Sequence, residues 1–78
     1  MRAISVTPLD SGWMVQQGRD AALVFRNGSS AEAAARRLAR AISDTGESAE
    51  IMIYLRDGSL GGRILSPPAP AAVTRLAG

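Results

Sequence analysis

The sequence predicts a single small α+β domain in the order β-β-β-α-β-β, an antiparallel-rich sheet with one helix packed on one face. Three observations predict it. Short segments on both sides of the middle of the chain alternate apolar and polar residues at the strand period of two. One alanine-rich stretch, residues 30–44, repeats its apolar positions at helical spacing. An Asp57-Gly58 pair divides residues 51–65 into two arms whose apolar residues oppose one another when counted outward from the turn.

The first strand is "RAISVT", residues 2–7, where Ile4 and Val6 alternate with Ala3, Ser5 and Thr7. Pro8 is expected to end it, because proline cannot donate to a ladder. After the "LDSG" turn, "WMVQQ" (13–17) sets Trp13 and Val15 against Met14 and Gln16. The third strand is "AALVFR", 21–26. A two-residue loop at Gly18-Arg19 would oppose Val15 to Ala22 and Trp13 to Val24. Leu23 and Phe25 then point the other way, which makes this strand apolar on both faces and central in the sheet.

Ser29 followed three residues later by Glu32 reads as a capping box, so the helix is expected to run from about Ser30 to Asp44. Gly46 is a natural left-handed terminator. Ala31, Ala34, Ala35, Leu38, Ala41 and Ile42 form the apolar stripe, with Glu32, Arg36, Arg37, Arg40 and Asp44 opposite. In the closing hairpin, a two-residue turn pairs Leu55 with Leu60, Ile53 with Gly62 and Ile51 with Ile64. These residues share the core face. The same count pairs Tyr54 with Gly61, a large ring over bare backbone, and Met52 with Arg63. The domain therefore spans 1–65, and residues 66–78, rich in Pro and Ala without periodicity, read as a flexible C-terminal tail.

The order of short motifs is similar to a known pattern. "GWMV" (Gly12, Trp13, Val15), "ALVF" (Phe25), a capped helix with Ala34 and Ala41, Gly46, and "IYLRDGSL" (Asp57, Gly58) follow one another. This resembles a family of short bacterial proteins known only as a domain of unknown function, family 2188, over about residues 4–65. The chain departs from the pattern in having no Lys, in Gly61-Gly62 and in its Pro-rich end. The resemblance implies one small α+β domain and supplies no activity and no catalytic residue.

Composition narrows the chemistry. The 78 residues contain no Cys and no His, so thiolate ligands, disulfides and the commonest general base are missing. Lys is missing too, so all nine basic residues are Arg against seven acids, a net charge of +2. A GC-rich genome yields that bias, and so does selection for guanidinium groups that grip phosphate. A charge of +2 does not by itself argue for nucleic acid. No two acids share a strand face at short spacing, and no metal-loop or phosphate-loop spacing occurs. The expectation is a protein without enzymatic activity, cofactor, metal or small-molecule substrate. No segment resembles a signal peptide or a membrane span, so a cytoplasmic protein is expected.

Two candidate surfaces remain. One helix of about 15 residues is about 22 Å long and 10 Å wide, whereas five strands span roughly 20 Å or more. The helix therefore covers about half of one face, and the other face has no element left to cover it. Met52, Tyr54, Arg56 and Arg63 fall there with Leu65, joined by either Trp13 or Leu23 and Phe25. Such residues are enriched at interfaces. They are the candidate interface of a homodimer docked by a sheet face or edge, unless the sheet coils over itself or the tail covers it. The alternative is weak nucleic-acid binding through Arg36, Arg37 and Arg40, with Arg56, Arg63 and Tyr54 as helpers. Against it, Glu32–Arg36 and Arg40–Asp44 spacings offer two of the helix arginines local partners.

Overall fold

A computed structural model of the chain describes residues 1–69. Its elements are β1 (Arg2–Leu9), β2 (Gly12–Gln17), β3 (Leu23–Phe25), α1 (Gly28–Asp44), β4 (Ala49–Tyr54) and β5 (Leu60–Ser66). They form the expected α+β architecture: one five-stranded sheet in the order β3-β2-β1-β4-β5, with α1 on one side. β1–β2, β2–β3 and β4–β5 are antiparallel, and β1–β4 is parallel. The parallel strands β1 and β4 supply Ile4, Val6 and Ile51, which pack with Val15 of β2 against Ala31, Ala35, Ala39 and Ile42 of α1. Alanine on the helix brings its backbone close to the strands, so the β-branched side chains below do most of the filling.

Three expected features of the first half are corrected. β1 continues through Pro8, which lies opposite Trp13 of β2. The parallel pairing with β4 has already stopped at Val6, so Pro8 sits beyond the last residue that β4 could bond. β3 is the edge strand, not a central one, and only three residues long. The loop before it is residues 18–22 rather than Gly18-Arg19, with Gly18 at φ 57° and the Asp20 amide donating to the Gln17 carbonyl at 3.0 Å. That longer loop shifts the register by one. Val15 opposes Leu23 and Trp13 opposes Phe25, so Leu23 and Phe25 share the helix side and Val24 turns away.

The helix starts earlier than the capping box implied. Asn27 is the cap, its Oδ1 accepting from the Ser30 amide at 2.8 Å and from Ser29 Oγ at 2.9 Å. Glu32 is left to pair with Arg36. Of the expected stripe, Ala41 is exposed and Leu38 half-buried, while Ala39 and Ser43 are buried. Gly46 does end the helix, at φ 91°, with its amide on Ser43 O and that of Glu47 on Ile42 O.

The closing hairpin keeps its inner register: Ile51–Ile64, Met52–Arg63 and Ile53–Gly62. Nearer the turn it differs. The loop has three residues, Arg56 to Gly58, closed by Leu55 N to Ser59 O at 2.8 Å, and Gly58 takes φ 89°. Tyr54 then opposes Leu60, and a bulge between Ile53 and Tyr54 absorbs Gly61 and restores the count. Leu55 and Leu60 are consequently exposed rather than in the core. Leu55, not Tyr54, lies against Gly61, its Cδ2 2.6 Å from where a Cβ would stand. At the far end Ser66 belongs to β5. The Ser43 hydroxyl donates to Pro67 O at 2.6 Å and the Ala69 amide to Ser43 O at 3.0 Å. The rest of the expected tail, residues 70–78, lies outside the described residues.

Candidate interaction surface

The side of the sheet away from α1 is built by alternation. Because Ile51 and Ile53 face the helix, Glu50, Met52 and Tyr54 face away. Register lines them up in rows across the strands: Gln16–Ser5–Met52–Arg63, Ala3–Glu50–Leu65, and Thr7–Met14–Val24. Met14 and Val24, neither foreseen, stand where Trp13 or Leu23 and Phe25 were expected. No residue of these rows is buried, so among the described residues nothing roofs this face.

The face is not one apolar patch, however. Ser5 and Thr7 of the central strand separate Met14 and Val24 from Met52, Tyr54 and Leu65. Met52 and Tyr54 are half-buried by their neighbours, and the Tyr54 hydroxyl reaches Met52 Sδ at 3.8 Å. Among the described residues, the large hydrophobic side chains most open to solvent, apart from Met1, sit at the sheet's margins. These are Leu23 and Val24 on β3, and Leu55, Leu60 and Leu65 on the β4–β5 hairpin. Leu65 is 62 % exposed.

The four predicted interface residues are only partly brought together. Arg63 stands beside Met52 and forms an ion pair with Glu50, whose side chain is only 12 % exposed. Glu50 was legible as the position two before Met52, diagonal to Arg63 across the ladder. Arg56 leaves the group. Its Nη1 donates to the Leu9 carbonyl at 2.9 Å and its guanidinium lies 5.9 Å from the centre of the Trp13 ring. Gly28 backs the same indole, close enough that a Cβ there would lie 3.2 Å from it. Arg56 thus ties the β4–β5 loop to the β1–β2 turn. Beside it, Asp57 Oδ1 accepts from Ser59 Oγ at 2.6 Å and Ser59 N at 2.9 Å. Those bonds, the hydroxyl's foremost, lower the carboxyl's pKa below its ordinary 3.8. They hold the loop in place above that ordinary value and are lost as pH falls through the lowered one.

The helix arginines form a stripe on the opposite side of the molecule. Arg36, Arg37 and Arg40 gather around Ala33. Arg36 is paired with Glu32 at 2.9 Å. The expected Arg40–Asp44 pair is not made, and among the described residues Arg37 and Arg40 have no carboxylate within ion-pair distance. Tyr54 lies across the sheet from them, so the arginine stripe and the ring do not form one surface. Between α1 and β5 runs an open groove of about 680 Å³, floored by Ile51, Ile64 and Ala39 and rimmed by Arg36, Arg40 and Ser43.

Among the described residues no three His, Cys, Asp or Glu side chains come together as a metal site. No helix there is long and apolar enough to cross a membrane. In a comparison with protein families, residues 4–64 match the family described as "Uncharacterized protein conserved in bacteria (DUF2188)". Neither a curated protein nor a solved structure matches the chain.

Proposed function

The chain belongs to the bacterial family DUF2188, and from that premise we propose that it is a small non-enzymatic interaction module of the bacterial cytoplasm that self-associates through its sheet. The observation that carries this reading is the distribution of bare hydrophobic surface. Leu55, Leu60 and Leu65 stand in solvent on the β4–β5 hairpin, next to the half-buried Met52 and Tyr54, with no element of the described chain to cover them. A domain of this size stabilises itself by only a few kcal/mol, so leaving apolar area in water is a real fraction of its stability. A second copy is the partner always present at the same concentration, and a two-fold contact uses one surface twice. Sedimentation equilibrium at tens of micromolar tests it. The expected mass is twice 8.1 kDa; a chain that stays at 8.1 kDa at every concentration overturns the reading.

A second reading, weak binding of single-stranded nucleic acid, rests on Arg37 and Arg40, which project from α1 without carboxylate partners among the described residues. It predicts affinity that falls steeply with salt. A chain that leaves a labelled oligonucleotide free at low salt removes it.

A further inference from the structure

The sheet ends in two edges that are protected to very different degrees. β3 offers three residues, and a short edge is a poor template for another strand. β5 offers seven. Its usable stretch is shorter, because the bulge at Gly61 disturbs the ladder at one end and Pro67, with no amide proton, closes the other. Gly62 to Ser66 remain. The helix does not guard this edge, since the groove of about 680 Å³ separates α1 from it. Nor does charge guard it: Arg63 is the one ionised side chain of β5 and is held by Glu50.

We propose that two copies of the chain pair antiparallel along β5, about a two-fold axis between the two Ile64 residues, to make one ten-stranded sheet. This rests on the self-association reading and says where the copies meet. An antiparallel two-fold contact has its axis perpendicular to the sheet, so both helices lie on the same side and opposed residues share a face. Three registers keep most of Gly62–Ser66 in the ladder. Centring on Arg63 sets two like charges directly opposite each other. Centring on Leu65 brings Pro67 into the ladder opposite Arg63. Centring on Ile64, the midpoint of the free stretch, avoids both. It opposes Ile64 to Ile64, Arg63 to Leu65 and Gly62 to Ser66.

The chemistry on each face of that register is complementary. On the helix side the two Ile64 side chains meet at the mouth of the groove, beside the apolar floor formed by Ile51 and Ala39. On the other side, Glu50 is the in-chain neighbour of Leu65 and Met52 that of Arg63. Pairing therefore produces the row Glu50, Leu65, partner's Arg63, partner's Met52, and its two-fold mate. Two glutamates and two arginines surround the axis with no net charge, and Leu65, the most exposed leucine among the described residues, is covered from the side. A ladder of five residues lies at the small end of specific interfaces, the class of weak and transient association, so the dimer is expected to dissociate on dilution.

The chain has no cysteine, which makes the register directly readable. Opposed residues of an antiparallel pair have Cα atoms about 4.5–5.5 Å apart, within disulfide reach. Ile64→Cys chains, oxidised at tens of micromolar, should cross-link on the order of tenfold or more faster than Val24→Cys chains. Val24 is exposed on the other edge and reports random collision, whereas pairing holds the thiols at millimolar effective concentration. Should Ile64→Cys disturb folding, a mixture of Gly62→Cys and Ser66→Cys chains gives the same answer. A Cβ on Gly62 meets nothing within 4 Å, and only the mixed disulfide is expected. Dimeric mass with rapid cross-linking of Met52→Cys, and Ile64→Cys no faster than Val24→Cys, overturns the edge register and leaves face-to-face self-association standing. Monomeric mass throughout overturns both.

Discussion

Gly12 and Gly61 are both close-approach glycines, and they differ in what a methyl group would strike. At Gly12 a Cβ would stand 2.4 Å from the Phe25 carbonyl oxygen, which belongs to backbone at the end of β3 and cannot rotate away. Gly12→Ala should cost about 1–3 kcal/mol, the usual range for forcing atoms into occupied space. At Gly61 the obstacle is the Leu55 side chain, which is exposed and can change rotamer. Gly61→Ala should therefore cost less than Gly12→Ala in a urea titration. Equal losses would mean that Leu55 is fixed more firmly than its exposure implies. The sequence made Gly61 recognisable as bare backbone under a large side chain but assigned that side chain to Tyr54. Asp-Gly suits a two-residue turn and also the end of a three-residue loop with glycine in the left-handed region, and one residue of difference exchanges Tyr54 for Leu55. Arg56 was misplaced for the same reason. Counted as a strand residue it belongs with Met52 and Tyr54, but as a loop residue it is free to reach Leu9 and Trp13.

Among the elements, α1 and the inner part of the β4–β5 ladder were legible because each depends on local periodicity. Ala31, Ala34, Ala35 and Ile42 are buried as the helical spacing requires, and Ile51–Ile64 pairs as the outward count requires. Start signals were less legible. Asn27, Ser29 and Glu32 stand close together, and all three residue types can serve the first turn. The orphan amide of Ser30 is taken by Asn27. Asn27→Ala should lower stability by about 1 kcal/mol, whereas Ser29→Ala, which removes only a hydroxyl bonded to Asn27, should cost less. Thermal unfolding of the two variants separates them, and the reverse order would restore the capping box. β3 was misjudged as central because its apolar residues run on without a break. Their burial depends on how many residues the preceding loop consumes, which local pattern does not encode.

For the molecule as a whole, order in the sheet is set by the parallel β1–β4 pair, which joins residues more than forty positions apart. Nothing in the local sequence distinguishes that pairing from the alternatives, and it decides which strands become edges. Surface geometry, by contrast, was legible from lengths alone. One helix narrower than five strands leaves a bare face, and the described chain has one. What the lengths concealed is that Ser5 and Thr7 make the middle of that face polar, so the hydrophobic surface gathers at the margins. β5 is the longer and less guarded of the two margins. Amide hydrogen exchange followed from low micromolar to millimolar protein addresses this most directly. Self-association through the sheet at β5 predicts that outward-facing amides within Gly62–Ser66 exchange more slowly as concentration rises, while those of Leu23–Phe25 do not change. Exchange along β5 that is the same at every concentration would contradict it.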